Sequence, residues 1–291
     1  GIELAVSTDT FVVSPIEFPG GNIGSLAVHG TLNDLAMQGA HPRYLTAGFV
    51  LEEGLPFDTL ERVVSAMACA ARDAGVAIVA GDTKVVERGR ADGLYVNTTG
   101  IGALEADFRP APDLVRPGDV LLVSGAIGRH GMAIMAAREG LSFRSEITSD
   151  SACLSPLVER LRAVAPGDVH ALRDPTRGGV ASALNELATA SGVGVEIDEG
   201  ALLVPGDVRA ACEVLGLDPL YVANEGVLVA FVAPASADAL LAALRAHPLG
   251  HEARVIGRAV VDHPRLVVLR TALGGSRVVD LLPGDQLPRI C

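Results

Sequence analysis

The sequence has no tryptophan, and aromatic residues make up only 3% of its 291 residues. Aliphatic side chains must therefore fill the core, and a composition of 49% apolar and 20% charged residues is typical of a packed globular protein. No apolar run reaches the ~18 residues that a membrane-spanning helix needs. No basic-then-apolar signal peptide opens the chain either. These absences predict a cytoplasmic protein with no membrane partner.

Positive charge is also scarce, because the chain has 23 Lys and Arg residues and 35 Asp and Glu residues, which gives a net charge of −12. A surface of this sign repels phosphate backbones, so we expect no nucleic-acid partner. An acidic protein can still bind ATP where a divalent cation bridges carboxylates and phosphates.

Cysteine is the third scarce residue, with four copies at Cys69, Cys153, Cys212 and Cys291 and neither CxxC nor zinc spacing among them. Cys291 is the last residue. A terminal thiol is consistent with an accident, a lipid or metal attachment point, or a chemical handle on a mobile arm. Residues 274–291 contain several Gly and Pro and have no helical period, which predicts a flexible tail that carries the thiol.

The pattern of the remaining chain predicts an α/β protein with α+β layers and mixed sheets. A chain of this length usually forms two domains, and prolines between 110 and 117 mark the boundary. We therefore expect an N-terminal domain at 1–115, a C-terminal α/β domain at 116–273 and the tail at 274–291. The chain enters directly into a strand-like run, so we expect a first segment of the N-terminal domain to be missing.

Two N-terminal segments have clear periods. Residues 57–75 predict an amphipathic helix that ends at Gly75, since Leu60, Val63 and Met67 share one face. The run "VAIVAGDT" that follows predicts a short buried strand.

Four acidic residues recur at strand ends and loop starts beside Thr, Asn or Gly: Asp9, Asp34, Asp82 and Asp174. Hard cations such as Mg²⁺ prefer carboxylate oxygens, and glycine beside a helix start lets backbone N–H groups approach phosphate. Any one of these acids is more typical of a turn or a helix cap. The set of four is more informative than its members.

Three further segments contain residues with a chemical interpretation, and two of these segments also have a purely structural one. Lys84 follows Asp82 by two positions and can neutralise phosphate or move a proton. "TRGG" at a predicted helix start is either an anion site made by Arg177 and Gly178 or an exposed cap. Glu225, in "ANEGVLV", is either a surface turn residue or a general base at a strand end.

Several motifs together resemble the HypE family of carbamoyl dehydratases, which act in hydrogenase maturation. They are "STDTFVVSPIEFPGGNIG", "GTLNDLAMQGAHP", "AGDTKVVERG", "RDPTRGGVASALNELA", "ANEGVLV" and the terminal "PRIC". The ATP motifs alone fit the wider superfamily of aminoimidazole ribonucleotide synthetase, selenophosphate synthetase and thiamine-monophosphate kinase. "PRIC" is the specific element. The family normally begins with a glycine-rich, acid-containing segment that this chain lacks.

The resemblance implies a two-domain aminoimidazole ribonucleotide synthetase-like fold and a homodimer formed through the N-terminal sheets, with ATP near the interface. It implies that a carbamoyltransferase, HypF, loads a carbamoyl group on the terminal sulfur. ATP then drives dehydration to thiocyanate, and the HypC–HypD complex receives cyanide for the iron of [NiFe]-hydrogenase.

The resemblance also implies roles for individual residues. Mg²⁺ and ATP contacts fall on Asp9, Asp34, Asp82 and Asp174, with Asn33, Arg177 and Gly178 as further nucleotide contacts. Catalysis falls on Cys291 as the carrier and on Lys84 and Glu225 for charge stabilisation and proton removal.

Two rival functions stay open at this point. Another kinase or cyclo-ligase of the superfamily would turn over ATP without Cys291. A non-enzymatic scaffold would bind iron or zinc through Cys291 and would not hydrolyse ATP.

Overall fold

The computed structural model describes residues 1–140, 146–282, 284 and 287–291. Its strands are β1 Leu4–Phe11, β2 Glu17–Phe18, β3 Gly21–Asn22, β4 Ala40–Glu52, β5 Ala77–Val86, β6 Leu94–Leu104, β7 Val120–Val123, β8 Val169–Arg173, β9 Gly194–Asp198, β10 Val229–Val232, β11 Arg254–Val260, β12 Val267–Arg270 and β13 Ser276–Val279. Its α-helices are α1 Ile23–Met37, α2 Phe57–Asp73, α3 Arg129–Glu139, α4 Ser155–Val164, α5 Gly179–Ser191, α6 Gly206–Leu215 and α7 Ala237–Arg245. None of these helices is long and apolar enough to cross a membrane.

The first half of the chain forms a four-stranded mixed sheet in the order β1-β6-β4-β5, in which only β4 and β5 run parallel. Helix α1 packs on one face of this sheet, and α2 packs beside α1. A capping box starts α1: the side chain of Asn22 accepts from the backbone N–H of Ser25, and the Ser25 hydroxyl accepts from the N–H of Asn22. The helix therefore begins at a defined point over the sheet.

The other face of this sheet carries exposed apolar side chains. Leu4, Val6 and Tyr44 are 59%, 60% and 50% exposed, and both Val6 and Tyr44 lie opposite Ile101 of β6 in register. We call this surface, which points away from α1, the open sheet face.

The prediction that "VAIVAGDT" forms a strand is confirmed, but the prediction that this strand is buried is wrong. It forms β5, but β5 is an edge strand whose residues are exposed along almost its whole length. The apolar residues of this strand lack a covering neighbour on the outer side within the described residues. Strand β4, the 13-residue partner of β5, was not predicted at all.

The second half forms a seven-stranded sheet in the order β13-β12-β9-β11-β7-β10-β8. Alternating side chains of its strands point to two cores. Leu121 and Phe231 pack with α5 on one face, whereas Leu122 and Ala230 pack with α4 and α7 on the other. Strand β13 pairs with β12 within the span predicted as tail, so 276–279 belong to this sheet.

Helix α1 connects the two halves. Its residues Leu26 and Val28 share a core with Met132 and Ile134 of α3, and its last turn, with Met37, packs in the core that contains α4. The cleft between the halves is therefore fixed by a shared core rather than by a linker alone.

Helix α5 begins on two glycines in the left-handed conformation, at φ of 75° for Gly178 and 61° for Gly179. A Cβ at Gly179 would lie 2.5 Å from Leu220 O and 2.6 Å from Val222 O. Backbone atoms cannot yield to such a contact without moving the loop, so only glycine fits.

We expect Gly179→Ala to lower the free energy of unfolding by about 2 kcal/mol or more, because backbone strain and a steric clash add. Gly192→Ala is the matched control, since Gly192 has a φ of 79° and nothing within 4 Å of its Cβ position. It should cost about 1 kcal/mol from strain alone. Urea unfolding measures both variants, and equal losses would contradict this account of the α5 start.

Candidate active site

Four predicted acids and the terminal thiol lie together in the cleft between the halves. Asp9 comes from β1, Asp34 from α1, and Asp174 from the loop after β8. Glu225 precedes β10, and the side chain of Cys291 lies within electrostatic range of both Asp9 and Glu225. Residues far apart in the sequence thus converge on one acidic cleft.

Asp174 is buried at 3% exposure, and its pKa is raised to about 6 by burial and then by the charge of Asp34. Its Oδ1 atom accepts no hydrogen bond from the described residues, although Arg173 Nη1 lies 3.6 Å away. The pKa of Asp9 is raised as well, by loss of hydration first and by Asp34 after it. The cleft therefore holds more carboxylate charge than the neighbouring protein groups neutralise.

Glu225 is the most perturbed acid of the cleft. It is 2% exposed, and burial followed by the charges of Asp174 and Asp150 raises its pKa well above the usual range. Its Oε1 atom also lacks a hydrogen-bond partner in the described part of the chain. A buried polar atom of this kind commonly marks a site that a ligand or proton completes.

Asp150 is a member of the site that the sequence did not reveal. Its carboxylate accepts from the backbone N–H groups of Glu225 (3.3 Å) and Gly226 (3.2 Å). Burial raises its pKa to about 6. Asp150 thus fixes the turn that carries Glu225, and no local motif signals this long-range contact.

Asn33, predicted to bind nucleotide, lies beside the cleft but is fully engaged with the protein. Its side chain donates to Ala152 O at 3.0 Å and to Glu225 O at 3.4 Å, and its Oδ1 accepts from Leu154 N at 2.8 Å. In this structure Asn33 positions the Glu225 turn, and its nucleotide contact stays a prediction.

The "TRGG" segment lies at the N-terminus of α5 beside the thiol. Arg177 Nη2 is 3.8 Å from Cys291 Sγ, and Gly178 is the N-cap without a side chain to occupy the first N–H groups. A cavity of about 400 Å³ opens here, walled by Arg177 and Thr176 on one side and by Leu287 and Ile290 of the tail on the other. Cationic side chain and helix N-terminus together favour an anion.

The last residues of the predicted flexible tail are docked in this conformation. Leu287 and Ile290 are 4% and 2% exposed, and Val12 N–H donates to the terminal oxygen of Cys291 at 3.2 Å. Burial and then the charge of Glu225 raise the pKa of the Cys291 thiol to about 12. Residues 283, 285 and 286 of the predicted tail lie outside the described residues.

Asp82 and Lys84 are not brought to the cleft. They pair with each other at 2.7 Å and are 70% and 71% exposed. Asp9 lies opposite Thr98, and Thr98 faces α1 because its hydroxyl donates to a carbonyl of that helix. Asp82 is aligned through β4 with Asn97, the neighbour of Thr98. Since neighbouring residues of a strand point to opposite faces, Asp82 and Lys84 lie on the open sheet face, away from Asp9.

The site has donors that suit a hard cation, but they are not gathered around one point. No group of three or more His, Cys, Asp or Glu side chains in residues 1–140, 146–282, 284 and 287–291 is arranged to hold a metal. The unpartnered oxygens of Asp174 and Glu225 are nevertheless of the type that Mg²⁺ prefers. The residue types therefore fit magnesium.

Comparisons with known proteins decide the family. The model for the N-terminal domain of AIR synthase related proteins matches residues 1–104, and the model for their C-terminal domain matches residues 116–269. Carbamoyl dehydratase HypE of Cupriavidus necator is 58% identical over all of this chain and 83% of its own length.

The chain belongs to the HypE family of carbamoyl dehydratases. A HypE crystal structure in complex with ATP superposes with a TM-score of 0.95 at 52% identity, covering 99% of this chain and 87% of that chain. The HypE chain of a HypE–HypF complex superposes with a TM-score of 0.93 at 47% identity, covering 96% and 90%. The predicted family, fold class and enzyme class are thereby confirmed.

The raised pKa of Cys291 predicts how this HypE-family chain responds to pH. A free thiol has a pKa of about 8.5, so the docked thiol holds its proton more tightly than the undocked one. The thiol then contributes no pH dependence to docking below about 8.5, and its contribution weakens docking as the pH rises from there towards 12.

We expect alkylation of Cys291 to keep accelerating between about pH 8.5 and 10, whereas a synthetic peptide of residues 285–291 levels off above its own pKa of about 8.5. Mass spectrometry of the C-terminal peptide measures both rates. Superimposable pH curves for the protein and the peptide would contradict a docked, protonated thiol.

Proposed function

We propose that this chain dehydrates a carbamoyl group on its own terminal sulfur to a cyano group with ATP, for the Fe–cyanide ligands of [NiFe]-hydrogenase. The observation that carries this proposal is the docked tail, which holds Cys291 Sγ 3.8 Å from Arg177 and in the field of Glu225. A terminal thiol delivered into an acidic cleft is the arrangement that chemistry on a carried group requires.

The reaction is difficult because an amide oxygen leaves poorly as hydroxide. In the proposed sequence the carbamoyl oxygen attacks the γ-phosphorus of ATP, ADP departs, and the oxygen becomes a phosphate leaving group. Loss of the two N–H protons and departure of phosphate convert S–C(=O)NH₂ into S–C≡N. The site must therefore hold phosphate, hold the sulfur and accept protons.

Phosphate binding falls to Arg177 and the α5 N-terminus at Gly178, which line a cavity together with Leu287 and Ile290 of the tail. Arg177 presents several N–H donors and a permanent charge to phosphoryl oxygens. Mg²⁺, when bound, would neutralise phosphate charge and would be held by Asp9, Asp34 and Asp174.

Glu225 is the proposed proton acceptor on the cleft side. It is buried beside the thiol and anchored through Asp150 and Asn33, so its position is well defined. Its raised pKa makes its carboxylate a stronger base than that of an exposed glutamate. It is therefore suited to take an N–H proton from the carbamoyl group.

Carbamoyl loading is proposed to take place with the tail undocked. A thiol with a pKa of about 12 is almost entirely protonated at neutral pH, and the thiolate is the nucleophile. The proposed donor is a HypF-type transferase, as the HypE–HypF complex suggests, and the proposed acceptor of cyanide is a HypC–HypD complex. Each partner meets the same mobile sulfur outside the cleft.

A homodimer is proposed through the open sheet face, where Leu4, Val6 and Tyr44 expose apolar surface without cover. Asp82 and Lys84 lie on the same face. Their predicted roles with ATP therefore depend on a second copy, since within one protomer the sheet separates them from the acidic cleft.

The central test is the mass of the terminal peptide. With a HypF-type transferase, carbamoyl phosphate and ATP, we expect about 43 Da to be added at the Cys291 thiolate and about 18 Da then to be lost. Cys291→Ala should abolish both shifts without unfolding the chain, because a half-buried terminal residue contributes little stability. Glu225→Gln should accept the carbamoyl group and stall before water is lost.

The rival functions give different results in the same assay. Undiminished ATP turnover by Cys291→Ala would indicate a kinase or cyclo-ligase acting on a free substrate. Iron or zinc bound through Cys291, with no ATP hydrolysis and no mass shift, would indicate a metal scaffold. Either outcome would overturn the proposed function.

The dimer has its own test. Val6→Asp should convert a dimer into a monomer in light scattering, because a buried charge without a partner opposes association. Val261→Asp is the control, since Val261 is 73% exposed and lies outside the open sheet face. It should remain dimeric, and a wild-type monomer or a dimeric Val6→Asp variant would contradict the proposed interface.

A further inference from the structure

Arg138 of helix α3 binds three main-chain carbonyls through its guanidinium. Arg138 Nε donates to Ser14 O at 2.8 Å, Nη1 donates to Pro288 O at 2.9 Å, and Nη2 donates to Arg289 O at 2.6 Å. Two of these carbonyls belong to the tail, and the third belongs to the loop after β1. The guanidinium thus joins three separate segments of the chain.

The chemistry of arginine suits this position. Its planar guanidinium has five N–H donors in a fixed fork, so one side chain can satisfy several carbonyls at once. Arg138 is half-buried, and its pKa is lowered by burial and by the nearby charge of Arg289. At Nη1 and Nη2, the carbonyls of the docked tail replace the hydrogen bonds that water supplies to a solvated guanidinium.

The remaining main-chain contacts of the tail extend from the same place. Ser14 N–H donates to Arg289 O at 3.1 Å, and Val12 N–H donates to Cys291 O, which makes a short antiparallel pairing. His130, one helix position after the start of α3, binds Ile290 O through Nε2 at 2.7 Å. Since a carbonyl only accepts, Nε2 carries the proton, and Nδ1 faces Ser149 Oγ at 2.8 Å.

Arg289 itself is held in an unusual backbone conformation, with a φ of 56°. A residue with a side chain adopts this region only when its surroundings fix it. Arg138 fixes it from the carbonyl, and Asp92 fixes it from the side chain through an ion pair of 2.8 Å. The turn at Arg289 directs Ile290 into the core and places the sulfur of Cys291 beside Arg177.

We propose that Arg138 is the positioning residue that holds the C-terminal tail docked, and that it thereby sets how long Cys291 Sγ stays in the acidic cleft. The effect of Arg138 on catalysis rests on the proposed function, whereas its effect on tail docking does not. Arg138 touches no reacting atom, so it acts through the position of the tail alone.

The test compares alkylation rates of Cys291 by iodoacetamide at pH 8 in the full chain. Arg138→Met keeps the length and apolar stem of the side chain and removes all three hydrogen bonds. Because one hydrogen bond from a charged donor commonly changes an equilibrium about ten-fold, we expect Cys291 to react at least about ten-fold faster than in the wild type. The peptide 285–291, released by cleavage before Asp285, reports the modification by mass.

Two further variants separate docking from folding. Arg138→Lys keeps the charge but not the fork, and it should give an intermediate rate. Arg162→Met, which removes an arginine paired with Glu159 on α4, should leave the Cys291 rate unchanged. Cys69, exposed on α2, serves as an internal reference on every molecule and should react equally in all variants.

The two half-reactions give a second readout that a general structural defect would not produce. In Arg138→Met, carbamoyl loading from the transferase should be unchanged or faster, and single-turnover dehydration should slow in proportion to the fall in the docked fraction of the tail. A Cys291 alkylation rate equal to the wild type would overturn the proposal, as would equal slowing of both half-reactions. If alkylation rises but no carbamoyl group is ever accepted, Arg138 keeps its role and the proposed function fails.

Discussion

A thiol at the end of the chain lies within electrostatic range of Glu225 and Asp9, and much of the candidate site depends on that interaction. Burial first, and then the charge of Glu225, raises the pKa of the docked thiol to about 12 and disfavours the reactive thiolate. Arg177 provides the opposing positive charge beside the sulfur. In the proposed function, the same cleft receives a neutral carbamoyl group, and its dehydration forms anionic phosphate and releases protons.

The fold supplies the rigidity that this arrangement needs. Helix α1 packs into cores of both halves, so Asp34 on α1 keeps a fixed relation to Asp174 and Glu225 of the second half. Asn33, the neighbour of Asp34, ties the Glu225 turn to the same helix. The acids are thereby preorganised, and in the proposed cycle the tail is the element that leaves the cleft.

Much of the fold could be predicted from the sequence where the pattern was local. The amphipathic period of 57–75 located α2, and "TRGG" located the start of α5. The exposure of β5 could not be predicted, because its apolar residues look like a buried strand and only the sheet order shows that it lies at an edge. Strand β4 was not predicted because Pro42 and Gly48 interrupt its apolar pattern.

The same distinction applies to the site. Acids beside glycine and threonine carried a local signal, and Asp9, Asp34, Asp174 and Glu225 do converge in the cleft. No local sequence signal marks Asp150 or Arg138, because their partners Glu225 and Pro288 lie 75 and 150 positions away in the chain. Gly and Pro in the tail predicted flexibility, whereas hydrogen bonds from α3 dock its last residues in this structure.

The proposed function requires that the sulfur of Cys291 carry the reacting carbon. The most direct measurement follows that carbon by ¹³C NMR, with labelled carbamoyl phosphate supplied through the transferase and ATP added afterwards. The account predicts a protein-bound thiocarbamate signal that converts into a protein-bound thiocyanate signal without leaving the chain. A label that appears only in a free small molecule, or never on the protein, would contradict it.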